Sequence, residues 1–364
     1  MKARIDKLRK VLVAENIDAA LLAILDANDT ATAPSVRYLT GYSGSTGAVF
    51  VTRKTSTFFS DFRYTDQAKK EVKGSKVIIS KKPPIESLAD LKEAQVKNLR
   101  VAFEANRLTV EQRNNLQKTL PNAILIEKNG MVEELGICKD KFELESIKGA
   151  VAISDEAFER ILGYMRPGLT EKEVAAELEY QMKMLGAEKQ AFDSIVASGY
   201  RSAMPHGVAS IKKLKKGDLV TLDFGAVVNG YCSDITRTVV LGKATAQQKK
   251  IYNLVARAQM AAIRKIKNGA DSKAVDGAAR KIIEKAGYGK NFGHGTGHGI
   301  SLEVHAQPRL SPKESKPLKS NMVVTVEPGI YITGWGGVRI EDDVVVRPAG
   351  CTVLNKAPKN LLEL

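Results

Sequence analysis

Apolar residues recur along this chain with two different periods. Near the start, Ile5, Leu8, Val11 and Leu12 fall on one stripe of a helix over Arg4–Glu15. Apolar runs of strand length follow at Ala19–Leu25, Gly47–Thr52, Ser56–Ser60, Lys76–Ser80, Arg100–Glu104 and Ala123–Glu127. Helical spacing returns between several of them, at Thr65–Val72, Ile85–Gln95 and Val110–Leu120. Strand and helix in alternation predict an α/β domain over residues 1–130. It contains no histidine and has no metal-ligand character.

From Lys141 the pattern changes. Leu144, Ile147, Val151, Ile153, Ala157 and Ile161 predict a long helix over Lys141–Met165, stopped by Arg166-Pro167-Gly168. Thr170-Glu171-Lys172-Glu173 is a capping box that opens the next helix, which closes at Gly186. Strand-like segments follow at Ser194–Ser198 and Asp218–Leu241. The order then recurs, with helices Ala246–Lys267 and Ser272–Ala286 and strands Ile300–His305 and Asn321–Val346. Two successive α-α-β-β units of about 100 residues each point to an internal duplication within an α+β domain over 140–364. Such a duplication places one site on its pseudo-two-fold axis.

Composition narrows the class. At 364 residues and 39.6 kDa the chain is long enough for two domains, and 43% hydrophobic with 27% charged residues is ordinary globular composition. No apolar run approaches the roughly 18 residues of a membrane span. The first residues alternate charges instead of forming an apolar stretch, so no secretory leader is expected. Cys138, Cys232 and Cys351 are scattered without a CxxC spacing, which excludes a disulfide framework and a zinc ribbon and points to the cytoplasm. The net charge of +15 divides into about +8 over residues 1–130 and about +7 beyond, so neither part is a basic tail. With no RNP-like or zinc-finger spacing, specific nucleic-acid binding is not expected.

The chemistry concentrates in the second domain. All four histidines (His206, His294, His298 and His305) lie there, three of them within twelve residues. A lone histidine is usually structural; a cluster points to a site. Nearby, Asn229-Gly230 separates two β-rich runs and predicts a two-residue type I′ hairpin turn. That turn pairs Val228 with Tyr231 and, counting outward, Asp223 with Thr236. Asp234 lies two residues from Thr236, so Asp223 and Asp234 share one face as diagonal neighbours. Two carboxylates among Val220, Leu222, Ile235, Val239 and Val240 would repel each other, and a cation between them removes the penalty.

A second ribbon over Val323–Val346 repeats the device. With its Gly-rich turn centred on Trp335, Glu327 pairs with Asp343 and Glu341 lies two residues from that partner. Pro328-Gly329 is expected to introduce a bulge. Between the ribbons runs Phe292-Gly-His294-Gly-Thr-Gly-His298-Gly-Ile, which fails G-x-G-x-x-G because His298 occupies the sixth position from Gly293. Its glycines instead allow close backbone packing while an imidazole is presented. One imidazole with four carboxylates is too acidic for a structural zinc site and suits Mn²⁺, Co²⁺ or Zn²⁺ in a paired catalytic site. Two such ions would generate hydroxide from a bridging water, so metal-assisted hydrolysis is the expected chemistry.

These runs resemble the pita-bread metallopeptidases, in the branch of Xaa-Pro aminopeptidases and Xaa-Pro dipeptidases (prolidases). The matching segments are Leu222–Gly225, Ser233–Thr238, Gly295–Ile300, Val326–Tyr331 and Val338–Asp342, in the order of that family. Leu39–Gly47 and Ser60–Ala68 are similar to its creatinase-like N-terminal domain. The resemblance implies a pita-bread catalytic domain behind a creatinase-like α/β domain, and a homodimer. It implies hydrolysis of the Xaa-Pro bond in dipeptides or short peptides by a hydroxide between two divalent ions, Mn²⁺ foremost. By this resemblance Asp223 chelates one ion, Asp234 and Glu341 bridge both, and His298 and Glu327 complete the other shell. Glu327 also shuttles the proton. His206 and His305 hydrogen-bond the substrate and its developing oxyanion, and Arg339 orients Glu341 or meets a substrate carboxylate. His294 is read as a loop histidine. The chain departs from the family in one place: Ala306 follows His305 where the family carries Glu, and hydrolysis is expected to survive this.

Other readings remain open at this point. Methionine aminopeptidases share the five ligands but lack the N-terminal domain. A creatinase-type amidinohydrolase uses the fold without metal. A pita-bread binding module for protein or polyanion is expected to have lost ligands, and here all five are intact.

Overall fold

The structure, a computed structural model, describes residues 1–24 and 34–364, and the chain divides into two units, Met1–Gly136 and Ile137–Leu364. The first is a mixed α/β unit. Helix α1 (Lys2–Ala14) buries Ile5, Leu8 and Leu12 of the stripe its periodicity predicts and leaves Val11 half-buried at its edge. Strands β1 (Ala19–Ile24), β2 (Gly47–Thr52), β3 (Ser56–Ser60), β4 (Lys76–Ile79), β5 (Arg100–Phe103) and β6 (Ile124–Glu127) form one sheet in the order β4-β3-β2-β1-β5-β6. Leu25, the last residue of the first predicted strand, lies outside the described residues. Helices α2 (Pro34–Thr40), α3 (Thr65–Glu71), α4 (Val110–Thr119) and α5 (Met131–Leu135) complete the unit.

One predicted helix is corrected. Ile85–Gln95 forms two short 3-10 turns, Glu86–Asp90 and Lys92–Ala94, with Leu91 extended between them. Both turns close on i→i+3 bonds, Leu88 N–H to Ile85 O at 3.1 Å and Gln95 N–H to Lys92 O at 3.2 Å.

The second unit holds α6 (Lys141–Tyr164), α7 (Glu171–Met184), β7 (Ile195–Ser198), β8 (Leu219–Phe224), β9 (Val227–Val228), β10 (Tyr231–Cys232) and β11 (Ile235–Val240). It continues with α8 (Ala246–Lys265), α9 (Ser272–Lys285), β12 (Gly297–Gly299), β13 (Ala306–Leu310), β14 (Val323–Val326), β15 (Gly329–Ile332), β16 (Gly336–Arg339), β17 (Asp342–Arg347) and β18 (Gly350–Val353). The Thr170 capping box is formed: its side chain accepts from Glu173 N, and Glu173 reaches back to its amide. Each helix pair packs mainly on its own sheet. Ile161, Leu178 and Val174 meet Val220, Leu222 and Val239 in one core, whereas Ile251, Val255 and Val275 meet Val324, Val344 and Ile340 in another. The repeated order of elements thus becomes two similar halves.

The sheet of the first half runs β11-β8-β7 and that of the second β13-β12-β14-β17-β18. They are tied where β11 meets the start of β17: Glu341 N–H donates to Thr236 O at 3.1 Å, and Thr238 Oγ1 to Arg339 O at 3.0 Å. Arg237, 1% exposed, lies under this junction, bonded to the backbone oxygens of Glu341, Ala357 and Pro358 and to Asp342 Oδ1. The predicted strand Ile300–His305 is also corrected. Strand β12 ends at Gly299, Ser301 N–H closes a turn on Glu303 O at 3.0 Å, and the chain returns as β13 only from Ala306. Among the described residues no helix is long and apolar enough to cross a membrane.

Candidate metal centre

The first ribbon has the predicted register. Val228 pairs with Tyr231 and Asp223 with Thr236, and Asn229 (φ 50°) and Gly230 (φ 83°) both take the left-handed conformation of a type I′ turn. Asp234, just before β11, is buried, and its amide donates to Asp343 Oδ2 at 3.0 Å. Asp223 and Asp234 line one cavity.

The second ribbon differs from expectation by two residues. Val326 pairs with Asp342 and Gly329 with Arg339, so Glu327 falls opposite Glu341 instead of Asp343, which faces Thr325. The cause is the turn. Ile332 pairs with Gly336 around a three-residue loop centred on Gly334 (φ 80°), one position before Trp335. Moving the centre by one moves every partner by two. The register is the same on both sides of Pro328, and the expected bulge is absent.

His298 reaches the acids from β12. A Cβ on Gly297 would strike the Thr325 carbonyl oxygen, and one on Gly299 that of Gln307, so only glycine lets these strands close around the histidine. The ring faces Gly299 O through Nδ1 at 3.1 Å, which leaves Nε2 3.3 Å from Glu327 Oε1 and 3.6 Å from Asp234 Oδ2. One ligand atom each from Asp234, His298 and Glu341 lies within 4.8 Å of the others.

Several carboxylate oxygens are held from behind. Arg339 donates to Asp223 Oδ2 at 2.5 Å, and Thr236 Oγ1 to Glu341 Oε2 at 2.6 Å. Asp223 Oδ1, Asp234 Oδ1 and Glu341 Oε1 are buried without a hydrogen-bond partner. Burial, then the neighbouring carboxylates, pushes Asp234 and Glu341 well above the usual carboxylate range. Burial raises Glu327 to about 7, opposed by Arg339 and reinforced by Asp223. Burial, with His305 nearby, lowers His298 to about 3, leaving a neutral imidazole ready to coordinate. Orphaned oxygens, mutually repelling acids and a neutral histidine suit divalent cations, so the donor set fits.

The cavity measures about 450 Å³, and His206, His305 and Arg309 line it together with the five predicted ligands. The rings of His305 and His298 are 4.5 Å apart. Arg339 is 3% exposed and committed to Thr236, Tyr331 and Asp223, so it is a fixed part of the wall and orients Asp223 directly. His294 lies in a loop as expected, yet it lines the cavity and its Nε2 meets Tyr331 Oη at 2.8 Å.

Thr236, Tyr331 and Arg309 escape the sequence reading. Thr236 could be found as the hairpin partner of Asp223. Arg309 pairs with His298 in the β12–β13 register, and misplacing that strand at Ile300–His305 hid it. The guanidinium of Arg309 makes no hydrogen bond or ion pair with the described residues. No periodicity marks Tyr331, whose importance is its tertiary contact.

Residues 145–348 match the metallopeptidase family M24, and residues 4–137 match the creatinase/prolidase N-terminal domain. The chain belongs to metallopeptidase family M24. The uncharacterized peptidase YqhT of Bacillus subtilis is 44% identical over 362 residues, covering 99% of this chain and all of that one. The Xaa-Pro dipeptidase of Pyrococcus furiosus is 38% identical over the full length of both chains. Among solved structures, an Xaa-Pro dipeptidase from Bacillus anthracis superposes with a TM-score of 0.93 at 42% identity, covering 100% of this chain and 99% of its own. An X-Pro aminopeptidase from Thermotoga maritima gives 0.91 at 38%, covering 99% and 100%. The M24 member thus has the expected architecture, a creatinase-like domain followed by a pita-bread domain.

Proposed function

We propose that this metallopeptidase is a dinuclear Xaa-Pro dipeptidase whose metal shell is Asp223, Asp234, His298, Glu327 and Glu341. The convergence of Asp234, His298 and Glu341 around orphaned buried oxygens carries the reading. Oxygen-rich ligands with one imidazole favour Mn²⁺, with Co²⁺ and Zn²⁺ as alternatives. Two divalent cations held there would supply hydroxide near neutral pH and polarise the scissile carbonyl.

The chain's own groups do the rest. Glu327 takes the proton of the attacking water and delivers it to the proline nitrogen as the C–N bond breaks. That nitrogen has no hydrogen of its own in the substrate, so a directed acid matters more than for an ordinary amide. His305, lowered by burial and then by Arg309, stays neutral and donates to the developing oxyanion together with His206. Arg339 holds Asp223 in place.

Arg309 makes the substrate a dipeptide. An uncommitted guanidinium beside the reacting centre suits a carboxylate one residue beyond the scissile bond. The Pyrococcus and Bacillus anthracis relatives named Xaa-Pro dipeptidase support this choice.

The test is hydrolysis of Ala-Pro against Ala-Pro-Ala by chelator-stripped protein, with and without Mn²⁺. Mn²⁺-dependent cleavage of Ala-Pro, faster than that of the tripeptide, is expected. Absence of cleavage with every divalent ion tried overturns the assignment.

A further inference from the structure

Two sheets, β7-β8-β11 and β13-β12-β14-β17-β18, meet where Glu341 N–H bonds Thr236 O and together floor the cavity. The cavity lining runs from β7 through β8 and the β11–β17 junction to β12 and β13, with β18 outside it. Asp223 comes from β8, Asp234 precedes β11, Glu341 precedes β17, Glu327 follows β14 and His298 lies on β12. The metal ligands therefore occupy the middle of the floor. Its two ends are β7 and β13, and each carries a charge of opposite sign. On β13, Arg309 is paired in register with His298. Just before β7, Asp193 stands two residues from Ile195, which is paired in register with Asp223. Ile195 and Asp193 both line the cavity. The side chains of Asp193 and Arg309 make no hydrogen bond or ion pair with the described residues.

A zwitterionic dipeptide has its polarity set by this floor. With its carboxylate at Arg309, the scissile bond lies over the central carboxylates and the Xaa residue points toward β7. The α-nitrogen is bonded to the carbon beside the scissile carbonyl, so it stays within the ligand group. Only the Xaa side chain extends further. Its path is lined by Ile195, Pro205 and Val208, apolar surface that suits a methylene stem, and ends at a carboxylate.

We infer that Asp193 is a specificity residue that selects a cationic Xaa side chain, lysine or arginine, in the substrate. The inference rests on the Xaa-Pro reading and adds the identity of Xaa. Asp193 is exposed, so its contribution is that of a surface ion pair, about three- to fivefold in kcat/KM, and it weakens with salt.

The experiment compares kcat/KM of the Mn²⁺-loaded enzyme on Lys-Pro, norleucine-Pro and Glu-Pro. Norleucine keeps the stem of lysine and removes its charge. The wild-type enzyme prefers Lys-Pro to norleucine-Pro about three- to fivefold, and Asp193→Asn abolishes the preference. Asp193→Lys reverses it, raising Glu-Pro above Lys-Pro, which no loss of folding produces. A Lys-Pro to norleucine-Pro ratio that stays within twofold of wild type in both variants overturns the inference. So does an equal fall on both substrates, since Asp193 would then be reading the α-ammonium they share. Failure of the wild-type enzyme to cleave any Xaa-Pro dipeptide is a different result, which removes the Xaa-Pro reading itself.

Discussion

Arg339 and Asp223 are 116 residues apart in the chain, and the guanidinium of one donates to the carboxylate of the other at 2.5 Å, joining the two ribbons at the candidate centre. The same side chain also bonds Thr236, which holds Glu341. Replacing Arg339 with methionine keeps much of the volume and removes every donor. Mn²⁺ affinity is then expected to fall about 10- to 100-fold, as is usual when the partner that orients a ligand is lost. Calorimetric titration measures this directly, and an unchanged affinity would show that Asp223 is placed without help.

The raised carboxyls make metal and pH interdependent. A carboxyl whose folded pKa exceeds its unfolded value stabilises the protein at low pH and loses that contribution as pH rises through the folded value. For Glu327 the window runs from 4.5 to about 7, and Asp234 and Glu341 shift in the same direction. The chelator-stripped protein should therefore lose stability across this range, while Mn²⁺ binds more tightly as protons leave. Melting curves from pH 5 to 8 should show the gap between loaded and stripped protein widening with pH. A constant gap would mean that these acids are not linked to the ion.

Glu327→Gln keeps the shape and removes the proton carrier. With Mn²⁺ saturating, kcat for Ala-Pro should fall about 10²- to 10⁴-fold. KM should change far less. Steady-state kinetics on ion-saturated enzyme separate these two parameters, and a loss confined to KM would take the proton-transfer role away from Glu327.

Arg309→Met should cost kcat/KM on Ala-Pro about 10- to 100-fold, the range of a charge-assisted bond. Hydrolysis of Ala-Pro amide, which lacks the carboxylate, should be far less affected. Equal losses on both substrates would mean that Arg309 acts on the centre and not on the substrate.

Local chemistry explains what could be read from the chain. Asn229-Gly230 between two apolar runs strongly favours one turn type, so the register of Asp223 against Thr236 follows by counting. Gly334 and Trp335 are compatible with more than one loop, and a one-residue difference in the centre put Glu327 opposite the wrong acid. The strand after His298 could not be located because the register shifts between His298 and Gly299, where apolar Ile300 and Leu302 imitate a strand inside a turn. The 3-10 turns of 86–94 have a helical apolar pattern but bond three residues back. The contact of Arg339 with Tyr331 is a diagonal one across the β15–β16 hairpin and could have been counted from its turn. That of Tyr331 with His294 joins a strand to a separate loop, and no short-range pattern announces it.

Arg237 gives the far end of the chain a bearing on catalysis. Its guanidinium joins the Glu341 carbonyl to those of Ala357 and Pro358, and beyond them Leu362 O and Leu364 N–H clasp Val240 on β11. The last eight residues thus act as a buckle on the belt that carries Glu341. Trimming them would leave every ligand in the polypeptide and unfasten the strand that aims one of them.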